Sequence, residues 1–364
     1  MNFVEKYAKL LVHYSLDLKK GEKLLIRSSI LAEDLVREVF REATKIGVEV
    51  DVDLDFREQY KIFLNEASDE LLKKPSYLYE LAVKNFDAFL TIRAPYNLME
   101  NISIDKEKIM KRKEALRPIQ SHYNKRTSEG SLKRTLCQWP TQAAAQMAKM
   151  SLEDYQKFVF NACHLYADNP AGEWEKIRDK QQKIVDLLNK KDKVQYKSEK
   201  TDIEFSVKDR IWINSDGRNN MPSGEVFTGP IENTVNGVVH FDYPSVFMGH
   251  PVEGITLWVE DGVVQKWTAN KGGKLLDEIM QIKGARMFGE VAIGTNYNIQ
   301  EPTANILFDE KIGGTIHMAL GQSYFNTGGR NESSIHWDMI SSMRKGQILA
   351  DGEKIYENGH FLDI

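Results

Sequence analysis

The stretch KLLIRSSILAEDLVREVFREATKIGVEVDVDL, residues 23–54, decides the architecture of the N-terminal half. Lys23-Leu24-Leu25-Ile26-Arg27 is a short apolar run behind Gly21 and reads as a strand. Residues 32–46 then place Leu35, Val36, Val39, Phe40 and Ala43 on one face at helical spacing. Gly47 follows, where a left-handed helix cap favours glycine. Residues 48–54 alternate apolar and acidic with period two, the pattern of a strand with one wet face. Working outward, Val4, Tyr7, Ala8, Leu11 and Tyr14 recur at helical spacing upstream, and residues 86–92 form a further strand candidate downstream. The succession of helix and strand predicts an α/β domain with a mostly parallel sheet. Neither GxGxxG nor GxxxxGK[ST] occurs in the chain. Such a sheet without a glycine-rich loop has no cradle for pyrophosphate, which argues against a nucleotide-dependent dehydrogenase or kinase.

The texture changes in the second half. Residues 173–190 are polar and helix-compatible and run into the charged segment Lys190-Lys191-Asp192-Lys193. Beyond it glycine becomes frequent and hairpin signals appear. Thr256-Leu257-Trp258-Val259 and Val263-Val264-Gln265-Lys266-Trp267 flank Asp261-Gly262, and Asp351-Gly352 repeats that two-residue turn cue near the C-terminus. The expected organisation is an α/β N-terminal domain over residues 1–190, followed by an α+β, β-rich C-terminal catalytic domain over 191–364.

Length and charge bound the function. The chain has 364 residues, about two domains at roughly 150 residues each. Lys and Arg number 49 against 53 Asp and Glu, a net charge of −4, so no basic excess is available to neutralise nucleic-acid phosphates. No stretch approaches the roughly 18 apolar residues that a transmembrane helix needs. Met1-Asn2-Phe3-Val4-Glu5-Lys6 lacks the basic start and apolar core of a signal peptide. The two cysteines, Cys137 and Cys163, form no CxxC pair, so neither a disulfide framework nor a thiolate zinc site is expected, and a reducing cytoplasm fits.

Candidate chemistry lies in the C-terminal half. Residues 333–340 read as a strand, in which His336 and Asp338 project to one face while Ile335, Trp337 and Met339 pack the other way. An imidazole beside a carboxylate can share a metal with it. His317 lies between Ile316 and Met318 in an apolar strand, where a buried imidazole needs a hydrogen bond or a metal. The Gly328-Gly329 loop then leads into the His336 strand. Gly224-Glu225 and Gly289-Glu290 each precede apolar strand formers, so each carboxylate faces desolvation unless a cation compensates. Glu225, Glu290, His317, His336 and Asp338 thus give three carboxylates and two imidazoles with no thiolate, a donor set for two divalent metal ions such as zinc, cobalt or manganese. With one carboxylate bridging and a shared water, two four-coordinate ions are accommodated, the pattern of a two-metal hydrolase.

At this point four segments resemble the thermophilic metallo-aminopeptidase family of the aminopeptidase T and aminopeptidase S type. They are residues 221–228, 289–294, 317–321 and 331–338, joined by Trp139-Pro140-Thr141 and the alanines 143–145 in the N-terminal half. The resemblance runs through the whole chain in order and is most specific over residues 221–340. It implies an aminopeptidase that removes N-terminal residues from short peptides through a water activated by two metals. The matching metal positions are Glu225, Glu290, His317, His336 and Asp338; among the carboxylates that could bridge, Glu290 is the one expected to relay the water's proton to the leaving amine. Tyr324 matches the family's active-site tyrosine, a neutral donor to the developing oxyanion. The resemblance also implies a homodimer whose N-terminal domains help enclose the active sites. The loop between Tyr324 and Asn331 is short for the family, and Phe325 stands where proline is frequent. Both departures fall at the rim of the site and bear on substrate preference. A different two-metal amidohydrolase or dipeptidase would use the same ligands, whereas a non-catalytic two-domain peptide-binding protein would bind no metal tightly.

Overall fold

A computed structural model describes residues 2–247 and 249–362. The chain divides into two compact units, residues 1–171 with 217–221, and residues 172–216 with 222–364. The division therefore falls before helix Pro170–Leu188 is complete rather than near residue 190. The reason is packing: Ile184, Val185 and Leu188 of that helix join the apolar core of the second unit.

The first unit is built on a parallel sheet. Its strands are β1 (Lys23–Ser29), β2 (Glu49–Asp55), β3 (Ala88–Arg93) and β4 (Lys133–Gln138), in the order β2-β1-β3-β4. The two-residue strand Asn220–Met221 returns to pair in parallel with β4. Helix α1 (Glu33–Lys45) crosses between β1 and β2 and buries Leu35, Val36, Val39 and Ala43. Phe40, grouped with that face in the sequence, is 43% exposed. β2 departs from expectation in the same way. It lies at the sheet edge, Val52 is 40% exposed, and Val50 and Leu54 are only half-buried, so its alternation does not hide one face.

The second unit contains an eight-stranded antiparallel sheet and a five-stranded one. In the first of these, Ile255–Glu260 and Val263–Thr268 form the hairpin expected around Asp261-Gly262. Both turn residues have positive φ, 48° and 80°, as the tight two-residue turn requires. The five-stranded sheet carries the candidate residues. Its strands are β5 (Ile213–Ser215), β6 (Glu225–Thr228), β7 (Phe288–Gly294), β8 (Thr315–Gly321) and β9 (His336–Ser342), in the order β9-β8-β7-β6-β5.

One side of this sheet is pure core. Val226, Val291, Ile293, Ile316, Met318, Leu320, Trp337 and Met339 all belong to a single apolar cluster. Fully burying a side chain of this size contributes about 1.5–3 kcal/mol, which holds strands β6 to β9 in register. The indole N–H of Trp337 donates to Ser245 Oγ at 2.8 Å, and that hydroxyl donates to the Asp338 carbonyl at 3.0 Å, so the buried indole N–H of β9 is satisfied.

The other side is reached through a break in the alternation. Phe288 pairs with Leu320, yet Glu290 pairs with Ala319, because Gly289 is an extra residue in β7. Without this bulge Phe288 and Glu290 would share a face; with it, Phe288 enters the core and Glu290 points away from it. Gly289 is required there, since a Cβ would stand 2.5 Å from the carbonyl oxygens of both Gly321 and Gln322. Gly289→Ala is expected to lower stability by about 1–3 kcal/mol, as overpacking does. Urea unfolding checks this, and a variant with the wild-type midpoint would contradict it.

Candidate metal centre

The pairing register builds the site. Glu290 lies opposite Ala319, which lies opposite Asp338; His317 lies opposite Ala292; His336 lies opposite Gly321; Glu225 lies opposite Gly294. Directly paired residues share a face, so the polar side chains of β6, β7, β8 and β9 converge. The partners Ala292, Gly294, Ala319 and Gly321 are small, which leaves room above the sheet for what the polar groups enclose.

Glu290 is central. Its Oε1 is 3.3 Å from His317 Nε2 and its Oε2 is 3.0 Å from His336 Nε2. Each imidazole has a second carboxylate: Glu225 Oε2 lies 3.6 Å from His317 Nε2, and Asp338 Oδ1 lies 3.5 Å from His336 Nε2. Glu225, Glu290 and His317 are buried, and Asp338 is nearly so. His336 is oriented from behind, its Nδ1 2.7 Å from the Gln322 carbonyl, which leaves Nε2 facing the carboxylates.

Three groupings have donor atoms close enough to hold a cation: Glu225, Glu290 and His317; Glu290, His336 and Asp338; and Glu310, His317 and Asp338. The five positions expected from the sequence are therefore all brought together. Tyr324 joins them, with its ring 4.9 Å from that of His336 and 5.5 Å from that of Phe227. The Tyr324 carbonyl accepts from Thr327 N at 3.1 Å and Thr327 Oγ1 at 2.6 Å, so the short loop is closed on itself. By contrast Phe241 lies in the core, and Asp242 is an exposed residue that accepts from Ser342 N at 2.8 Å.

Two charged residues at the centre were not anticipated. Glu310 belongs to the third grouping. Lys311 is fully buried, and its ammonium donates to Glu225 Oε1 at 2.8 Å and to Glu310 Oε1. In sequence Asp309-Glu310-Lys311 has the character of a solvated turn, and no residue type distinguishes it from one.

The donor set fits divalent ions. Glu225 Oε2, His317 Nδ1 and Asp338 Oδ1 are buried with no hydrogen-bond partner among the described residues. Leaving such groups unsatisfied costs about 1–3 kcal/mol each, and more for charged ones. Mixed carboxylate and imidazole donors without thiolate suit zinc, manganese or cobalt.

The electrostatics follow from the crowding. Burial opposes charge on His317, but Glu290 and Glu225 outweigh it and raise its pKa to about 9. Burial likewise opposes charge on His336, and Asp338 with Glu290 raises it to about 12. Burial works against the Asp338 carboxylate, yet His336 brings it down to about 2. For Tyr324 the surrounding protein and then Glu290 and Asp338 raise the phenol well above its ordinary range, although the residue is 46% exposed. It is a protonated donor at neutral pH.

The imidazole shifts have a sign. A raised folded pKa contributes stability that is complete below the ordinary value of 6.5 and is lost as pH rises through about 9 for His317. Metal binding needs neutral imidazoles, so affinity grows over the same window. The melting temperature of EDTA-treated protein is therefore expected to fall from pH 6.5 to 9, while the increment produced by added Zn²⁺ rises. Scanning fluorimetry checks both trends, and a zinc increment independent of pH would contradict the arrangement.

Comparisons with known proteins agree with the geometry. The sequence matches the thermophilic metalloprotease family (M29) over residues 2–361. It is 26% identical to aminopeptidase 2 of Geobacillus stearothermophilus over 409 residues, covering 98% of this chain and 97% of that protein. It is 27% identical to aminopeptidase AmpS of Bacillus subtilis (strain 168) over 406 residues, with 98% and 97% coverage. The solved structure of wild-type AmpT from Thermus thermophilus shares the fold with a TM-score of 0.85, at 24% identity and 99% coverage of both chains. The chain belongs to the M29 family of thermophilic metalloproteases.

Proposed function

We propose that this protein is a metal-dependent aminopeptidase that releases N-terminal residues from short peptides at a two-ion centre. The observation that carries the reading is Glu290, whose two oxygens face two imidazoles, each with its own second carboxylate. A group so placed can bridge two cations. Glu225 and His317 would hold one, and His336 and Asp338 the other. The names of the full-length relatives, aminopeptidase 2 and aminopeptidase AmpS, support the substrate class.

Bound divalent ions would lower the pKa of a shared water toward neutrality and polarise the scissile carbonyl. The chain's own residues do the rest. Gln322 orients His336 through Nδ1, so Nε2 is held toward Glu290 and Asp338, where it would serve as a ligand. The Glu290 carboxylate is the group placed to take a proton and pass it to the leaving amine. Tyr324 keeps its proton and donates a hydrogen bond to oxyanion charge as it develops.

The reading extends to a homodimer in the cytoplasm. Strong exposure of Tyr77 (76%) and Leu78 (72%) on the first unit supports a covered surface. Cys137 and Cys163 are both buried and not joined in a disulfide, which is compatible with a reducing compartment. No helix among the described residues is long and apolar enough to cross a membrane.

Metal-stripped protein resupplied with Zn²⁺, Co²⁺ or Mn²⁺ is expected to release leucine from Leu-Gly-Gly and to leave the N-acetylated peptide intact. Equal cleavage of both peptides would replace this reading with a two-metal amidohydrolase. Retention of no metal and no cleavage would leave a peptide-binding protein. Within the site, His336→Ala should lose bound metal by elemental analysis. Tyr324→Phe should keep its metal and lose on the order of 10²–10³ in kcat, the cost of one oxyanion donor.

A further inference from the structure

Lys311 is a buried cation inside a centre whose donors otherwise suit metal ions. Its side chain is fully buried, and its ammonium is shared between Glu225 and Glu310. The backbone is held as well, with Asn296 N donating to the Lys311 carbonyl at 2.9 Å and Lys311 N donating to the Phe308 carbonyl at 3.0 Å. The residue therefore has little freedom to withdraw.

Its effect on the carboxylates is specific. Glu225 Oε1 is taken by the ammonium at 2.8 Å, while Oε2 has no hydrogen-bond partner and lies 3.6 Å from His317 Nε2. A carboxylate held this way has one oxygen free. Glu310 is anchored through its own Oε1 by the same ammonium. Charge points the same way. Glu225, Glu290, Glu310 and Asp338 gather four carboxyl groups in one buried place, with the Lys311 ammonium set among them. An uncompensated ion in such a place is strongly disfavoured, so the ammonium has a reason to stay.

We propose that Lys311 is a positioning residue that clamps Glu225 and Glu310 so that each presents a single oxygen to a bound divalent ion. The proposal rests on the metal-centre reading above. Chelating carboxylates raise the coordination number, so a residue that occupies one oxygen of each keeps it low. Lys311 sets the geometry at the ion without touching the substrate.

Co²⁺ makes this measurable, because its visible d–d absorption weakens as coordination number rises. Metal-free full-length protein would be titrated with CoCl₂, and bound cobalt counted, for the wild type, Lys311→Met and Lys311→Gln. Lys311→Met is expected to bind the same number of cobalt ions with absorption weakened at least about twofold, as four-coordinate geometry opens to five or six. Lys311→Gln keeps one N–H donor for Glu225 and should fall between the two. If Lys311→Met does not fold by circular dichroism, Lys311→Gln and the charge-balanced double variant Lys311→Met with Glu310→Gln carry the comparison. Folded variants with the wild-type spectrum would overturn the proposal. A wild type that binds no cobalt would instead overturn the metal-centre reading, and the clamp with it.

Discussion

Glu290 sits between two imidazoles, Oε1 3.3 Å from His317 and Oε2 3.0 Å from His336, on the face of a sheet whose reverse side is solid hydrocarbon. The rest of the C-terminal unit follows from this constraint. A buried carboxylate between two bases, with Glu225, Glu310 and Asp338 close by, stands only if cations lie among them. Protons on the imidazoles and the Lys311 ammonium supply that charge when no metal is bound. Divalent ions would displace the protons but not the lysine. The apolar reverse side holds β6 to β9 in a register that the polar side could not sustain alone. Small residues at Ala292, Gly294, Ala319 and Gly321 leave the space that ions and a substrate need.

How much of this was legible depends on whether local pattern carried the information. His336 and Asp338 are two apart in an unbroken strand, so their common face could be read directly. His317 stood out because an imidazole between Ile316 and Met318 has no reason to be buried alone. Glu290 was found by its apolar company, but its orientation was hidden, because the bulge at Gly289 reverses the parity that alternation would assign. Glu310 and Lys311 were invisible for a different reason. Their burial is created by strands remote in sequence, and a run of charged residues before a glycine pair looks the same whether it is solvated or enclosed.

The same division applies to the fold. Strand and helix types in residues 23–54 followed from periodicity, since both elements are long enough to repeat their pattern. Whether Phe40 and Val52 are covered could not be read there, because position at a sheet edge is a property of topology. The division between the units shows a related effect. The polar texture of residues 173–190 conceals Ile184, Val185 and Leu188, which belong to the apolar core of the second unit. The relatives make the point from the other side: at 24% identity the chain still shares the AmpT fold at a TM-score of 0.85.

The central claim is that one carboxylate, Glu290, joins two cations. Electron paramagnetic resonance of the Mn²⁺-loaded protein tests it directly, because two manganese ions sharing a carboxylate are magnetically coupled. The account predicts two manganese ions per chain and a coupled spectrum that gives way to isolated-ion signals in Glu290→Gln. An isolated-ion spectrum from the fully loaded wild type, at one manganese per chain, would contradict it.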